Sequence, residues 1–96
     1  MITRFDWDAG NHEKCQKHGV SIAEIEAAFA ATPRIAPAID PAAAEQRFIA
    51  IGYGADNRPL FIVFTLRRSG DHQTIRPISA RYMHAKEIAR YEQTNP

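Results

Sequence analysis

The chain has 96 residues, one cysteine and a net charge of +1 from 12 basic and 11 acidic side chains. Its length fits a single domain, and 45% hydrophobic with 24% charged residues is an ordinary globular mix. The lone cysteine excludes an internal disulfide framework, and the near-zero charge excludes the bulk basicity usually expected of a nucleic-acid binder. The total hides an asymmetry, because residues 1–45 carry 4 Lys/Arg and 7 Asp/Glu while residues 46–96 carry 8 and 4. The halves therefore sum to −3 and +4, and 9 of the 12 basic residues are Arg. Arg is the side chain for forked recognition of phosphate or carboxylate. The start of the chain, MITRFDWDAG, has no apolar run of the signal-peptide kind. The longest apolar run, from Leu60 to Phe64, is far below the ~20 residues of a membrane helix. A soluble, cytoplasmic protein is expected. A domain this short buries only about 60–68% of its unfolded surface, so a partner would help it.

Taken in order, residues 3–7 alternate Phe5 and Trp7 with polar neighbours and predict a short strand. Asp8 suits an N-cap, opening a polar helix to about Lys17 that Gly19 stops. Ser21 and Glu24 have capping-box spacing, with Val20 placed to staple onto Ile25. That second helix presents Ile22, Ile25 and Phe29 on one side and ends at Thr32, before Pro33. Residues 34–39 predict a strand between prolines, with Pro37 arguing for a sheet edge. The Ala/Pro-rich residues 36–44 also read as a loop or spacer. Residues 47–53 and 60–66 predict strands apolar on both faces, hence central and buried on both sides. Residues 54–59 and 69–71 make turns. Residues 73–80 predict a third meander strand in which Pro77 requires an edge or a bulge. Residues 84–92 predict a closing helix with Ala85, Ile88 and Ala89 on one side. Strands clustered after helices give an α+β fold.

Candidate chemistry is narrow. His12, His18, His72 and His84 are scattered, and Cys15 stands alone, so neither a metal nor another cofactor is expected. Cys15 reads as small buried filler. More informative is a set of Arg and Glu residues at strand ends. Glu45 and Arg47, at i and i+2, would share a strand face. Arg67 and Arg68 end the next strand, Arg76 lies on the third and Arg81 just after it. Neighbouring strands lie ~4.8 Å apart, so several guanidiniums could converge on one patch. Alternatively they pair with Glu45, Glu87 and Asp71. Lys17 and His18 close a helix, either as a C-cap or as a charged acid–base element. Met83, Glu87 and Tyr91 form a stripe on the last helix. Glu87 could bond an Arg of the sheet, and Tyr91 could stack on a base or on the core.

With these residues in view, the chain resembles the BrnT family, small ribonuclease toxins of type II toxin–antitoxin systems. Phe5-Asp6-Trp7-Asp8 resembles FxWD. Asn11 and Lys17-His18-Gly19-Val20-Ser21 resemble N…KHGVS. Glu45-Gln46-Arg47-Phe48 resembles ExRF, and Ile51-Gly52 the IG pair. Thr65-Leu66-Arg67 resembles TxR. Residues 75–81, IRPISAR, resemble IRxISAR, and Glu87 and Tyr91 stand where the final helix has its E and Y. The motifs are weak singly and specific in this order. The resemblance implies a RelE-like fold and RNA cleavage without a metal, through attack of the ribose 2′-hydroxyl. In this chain it would place His18 or Glu45 as the proton-transfer group. Arg47, Arg67, Arg76 and Arg81 would hold the phosphate, Lys17 would assist and Tyr91 would stack on a base. The implied partner is a BrnA-like ribbon-helix-helix antitoxin in a hetero-oligomer, a heterotetramer, that reads operator DNA through the antitoxin. One departure stands out: family members often carry a His just before ExRF, where this chain has residues 40–44, DPAAA. The alternative implied is a weak or inactive toxin-like subunit that binds the antitoxin and co-represses.

Overall fold

The computed structural model describes residues 4–38, 41–42 and 44–94. A short strand β1 (Arg4–Phe5) leads into helices α1 (Ala9–Gln16) and α2 (Ile22–Ala30), then strands β2 (Arg34–Ala38), β3 (Arg47–Tyr53), β4 (Pro59–Ser69) and β5 (His72–Tyr82), and helix α3 (Ala85–Thr94). A 3₁₀ turn, Ala55–Asn57, joins β3 to β4. The sheet order is β1-β5-β4-β3-β2, with β1 parallel to β5 and the other pairs antiparallel. The fold is α+β with a mixed five-stranded sheet, as the clustered elements predict. Thr3, Ile39, Asp40 and Ala43, which fall in predicted elements or in the DPAAA segment, lie outside the described residues. Among the described residues no helix is long and apolar enough to cross a membrane.

The local punctuation works through backbone hydrogen bonds. Asp8 caps α1 by accepting from the Asn11 amide at 3.1 Å, and the Asn11 side chain accepts from the Asp8 amide at 2.7 Å. Ser21 and Glu24 form the second, reciprocal box. Gly19 takes φ +89°, which lets the chain leave α1 without a Cβ clash. Helices α1 and α2 pack on one face of the sheet, where Val20, Ile25, Ala28, Phe29, Ala50, Leu60, Ile62, Phe64 and Ala80 form the core. Gly52 permits close approach there, since a Cβ on it would stand 3.0 Å from that of Ala28.

Two expectations need correction. Strands β3 and β4 bury Ala50, Leu60, Ile62 and Phe64 on the helix side; on the other side Thr65 is buried but Ile49, Ile51, Phe61 and Val63 are only half-buried, because α1 and α2 cover a single face. Helix α3 turns Glu87, Ile88 and Tyr91 inward while Ala85 and Ala89 are exposed. The surface it meets is partly polar, so a mixed stripe fits it better than an alanine one.

Pro37 does lie on an edge strand, and Pro77 does lie at a bulge. Val63 pairs with Ser79 and Phe64 with Pro77, so Ile78 is the extra residue. The Pro77 carbonyl accepts from the Asn11 side chain at 2.9 Å, which also donates to the Asp6 carbonyl at 2.9 Å. Asn11 is 6% exposed. Asn11→Ala would strand the buried Pro77 carbonyl and remove the side-chain half of the α1 capping box together. It should cost about 2–4 kcal/mol in urea unfolding; a loss within 0.5 kcal/mol, roughly a surface-substitution effect, would contradict this role.

Candidate nucleic-acid interface

Alternation along β4 puts Leu60, Ile62 and Phe64 under the helices and Phe61, Val63, Thr65 and Arg67 on the opposite, open face. The pairing carries this assignment across the sheet. Arg81 stands opposite Phe61, Ser79 opposite Val63, Arg76 opposite Thr65 and Thr74 opposite Arg67. Arg76 and Arg81 are five residues apart, so a regular strand would send them to opposite faces. The extra residue at Ile78 reverses the alternation and brings both to the open face. Arg47 joins them, because its neighbour Phe48 pairs with Phe64 on the helix side.

Near one end of this face the guanidinium of Arg67 donates to Glu45 at 2.8 Å, both side chains being 47% exposed. Arg47, half-buried, and Arg76 flank Thr65. Arg76 reaches Asp8 at 2.8 Å and Asp6 at 3.5 Å. Asp8 is held below its ordinary 3.8, first by the Asn11 amide and then by Arg76. Thr65 is 1% exposed, and its hydroxyl has no hydrogen-bond partner among the described residues.

Toward the other end Arg81 grips Glu87 with both terminal nitrogens, at 2.6 and 2.8 Å, and lies 4.6 Å over the Phe61 ring. Glu87 also accepts from the His84 amide at 2.9 Å, capping α3. Its carboxyl is pulled from 4.5 to about 2, chiefly by the Arg81 hydrogen bonds. Tyr91 lies by Arg34, whose guanidinium carbon is 5.9 Å from the ring centroid, beside a depression that includes Ile49 and Ile51. His18 lines a cleft with Arg58, Arg81, Tyr82, Met83 and His84. Lys17, next to it in sequence, lines a different depression with Gly10, Glu13 and Lys14.

The candidate guanidiniums therefore share one face but not one patch. The Arg81 and Arg67 rows are six positions apart on β4, about 20 Å at ~3.3 Å per residue. Glu45 and His18 stand with different groups. Arg67, Arg76 and Arg81 all hold carboxylates, as the pairing alternative predicts for Glu45 and Glu87, with Asp6 and Asp8 in place of Asp71. The exposed Arg67–Glu45 pair is the one most easily opened, since such pairs contribute at most about 1 kcal/mol. Cys15 is buried, and desolvation pushes its thiol up to about 11, which fits filler rather than a nucleophile. Among the described residues no three His, Cys, Asp or Glu side chains gather as a metal-ligand set. Sequence reasoning missed Thr65 as an orphan hydroxyl and Arg58 altogether; both depend on tertiary neighbours.

Residues 7–87 match the family described as the ribonuclease toxin, BrnT, of type II toxin–antitoxin systems. No curated protein matches the chain.

The Glu87 carboxylate, lowered in the folded state, stabilises fully above its ordinary 4.5 and loses that contribution as pH falls toward 2. Circular dichroism across that window should show wild-type stability falling faster than that of Glu87→Gln; parallel profiles would remove the pair from the α3 anchor. Thr65→Val deletes an unpartnered buried hydroxyl at nearly constant shape. It should raise stability by about 1 kcal/mol in urea unfolding, and a loss of stability would mean that the hydroxyl is satisfied.

Proposed function

The chain belongs to the BrnT family, the ribonuclease toxins of type II toxin–antitoxin systems, and on that premise we propose that it is a metal-independent endoribonuclease acting on the open sheet face. The observation that carries this reading is the placement of Arg47, Arg67, Arg76 and Arg81 on the one face that α1 and α2 leave uncovered. Within it the Glu45–Arg67 pair supplies a carboxylate and a guanidinium that part at little cost. A phosphodiester drawing Arg67 away would leave Glu45 as the proton acceptor. Glu45 takes the 2′-hydroxyl proton, the 2′-oxygen bonds to phosphorus and the bond to the 5′-oxygen breaks. The products are a 2′,3′-cyclic phosphate and a 5′-hydroxyl whose proton comes from water. Arg47, Arg67 and Arg76 stabilise charge on the phosphorus oxygens and the departing oxygen. His18, Arg81, Lys17 and Tyr91 serve RNA binding rather than the reacting phosphate, because none of them stands with Glu45. Family membership supports an antitoxin partner. The motif resemblance supports the finer parts of the proposal, a BrnA-like ribbon-helix-helix antitoxin in a heterotetramer that reaches operator DNA and a RelE-like fold; a cytoplasmic setting is proposed with them.

A second reading, a catalytically weak antitoxin-binding subunit, is favoured by the ion pairs that hold Arg67, Arg76 and Arg81. Cleavage of RNA by the purified protein in excess EDTA separates the two. The first reading expects cyclic-phosphate ends, a fall of about 10²–10⁴ in rate for Glu45→Gln and of about 10²–10³ for Arg47→Ala. His18→Ala should weaken RNA binding more than it slows the bound step. No cleavage by the wild type would establish the second reading, and undiminished rates in the Glu45 and Arg47 variants would remove this site.

A further inference from the structure

The cleft that includes His18 has a volume of about 430 Å³ and is walled by Arg58, Arg81, Tyr82, Met83 and His84. Its cationic groups are not equivalent. Arg81 has its terminal nitrogens on Glu87. Arg58 lies over the Tyr82 ring, its guanidinium carbon 3.6 Å from the centroid, and among the described residues no carboxylate pairs with it. The imidazoles of His18 and His84 likewise have no hydrogen-bond partner among the described residues. The Tyr82 hydroxyl is fixed by donation to the Glu24 carboxylate, at 2.8 and 2.9 Å to its two oxygens. The backbone around Arg58 is pinned from both sides, since its carbonyl accepts from the Gly54 amide at 2.9 Å and that of Pro59 accepts from Met83 at 2.9 Å. The result is a planar fork of N–H donors on a rigid aromatic support, with two further ring donors beside it. A stacked guanidinium of this kind matches the oxygens of a phosphate.

We propose that this cleft is a second phosphate subsite, in which Arg58, stacked on Tyr82, holds a backbone phosphate of a single-stranded RNA whose reacting phosphate lies on the Arg47–Arg76 row. The proposal rests on the ribonuclease reading for its choice of ligand. The geometry suits that choice. The Phe61–Arg81 row beside the cleft and the Thr65–Arg76 row are four positions apart on β4, about 13 Å at ~3.3 Å per residue. Tyr82 pairs with Leu60 on the helix side, so a strand of a few nucleotides would leave Arg58, pass the end of the Phe61–Arg81 row and cross that distance along the open face, past Val63 and Ser79. Arg58 adds to the footprint a cation from the loop before β4, outside every motif of the sequence.

The test is fluorescence anisotropy with a 2′-O-methyl oligoribonucleotide, which 2′-hydroxyl chemistry cannot cleave, titrated at several salt concentrations. Arg58→Ala should weaken binding about tenfold and make the plot of log K against log salt shallower by about 0.7, one single-strand phosphate contact. Melting temperatures on the same samples separate lost affinity from lost fold. Should Arg58→Ala not fold, Arg58→Lys keeps the charge and loses the fork: a drop of at least about threefold supports the subsite, and wild-type affinity overturns it. Unchanged affinity and salt slope in a folded Arg58→Ala overturn it outright. So does weakened antitoxin binding with RNA affinity intact, which would give the cleft to the protein partner. If the wild type cuts no RNA but its oligonucleotide binding still depends on Arg58, the cleavage reading falls and the subsite stands.

Discussion

The alignment of Arg76 with Arg81 on the open face depends on one extra residue in β5. Without the bulge at Ile78, Arg76 would point into the helix-covered core whenever Arg81 pointed out of it. A guanidinium in that core would face Phe64 and the buried side of the sheet, where an unpaired charge is not tolerated. The bulge needs its own support, because it interrupts the ladder and Pro77 brings no N–H to it. Asn11 provides that support by donating to the Pro77 carbonyl, and its second donor bond ties Asp6 alongside. The same side chain closes the cap of α1, whose Asp8 then reaches Arg76. One buried amide thus fixes helix, strand irregularity and arginine orientation together.

The charge distribution takes on a different meaning in three dimensions. The acidic first half does not stay away from the arginines. Asp6 and Asp8 cross to Arg76, and Glu45, at the end of that half, crosses to Arg67. Glu24 instead turns its carboxylate to Tyr82, holding the phenol above its usual 10.0 and keeping the ring in place beneath Arg58. The near-neutral total is therefore largely a set of local pairings, whereas Arg58 rests on Tyr82 with no carboxylate paired to it among the described residues.

How much of this the sequence revealed depends on the range of the forces involved. Both N-caps, the Gly19 stop, the edge position of β2 and the interior strands were legible, because each is set by neighbours within a few residues or by plain hydrophobic pattern. The Glu87 bond to an Arg of the sheet was also legible, since the stripe on α3 suggested it. The face of Arg76 relative to Arg81 was not, because alternation counts residues and a bulge changes the count. Pro77 marked the irregularity without saying which residue would be extra. The inward face of α3 was misread for a related reason: apolar content favoured Ala85 and Ala89, but the surface awaiting the helix contained Arg81, and a carboxylate fits that better than a methyl group. Arg58 left no signal, because stacking on Tyr82 joins a loop to the far end of β5.

The pairing of the guanidiniums decides what the face can bind and in what order. A phosphate approaching Arg67, Arg76 or Arg81 meets an arginine already satisfied by a carboxylate, so binding there is an exchange rather than an addition. Exchange is easiest where solvent already weakens the pair. Glu45 and Arg67 are each about half exposed, Arg81 and Glu87 about a third exposed, and the Arg76 side chain is 20% exposed and shared between two carboxylates. Screening by water and salt falls along that series. The Glu45–Arg67 pair therefore opens first, and under the proposed cleavage reading its opening would release a carboxylate next to the phosphate. Opening the Arg81–Glu87 pair carries a further cost, because Glu87 also caps α3 and drawing Arg81 away would loosen the helix that carries Tyr91. An exposed, exchangeable pair at one end of the sheet and a helix-anchoring pair at the other are thus two uses of the same ion-pair chemistry.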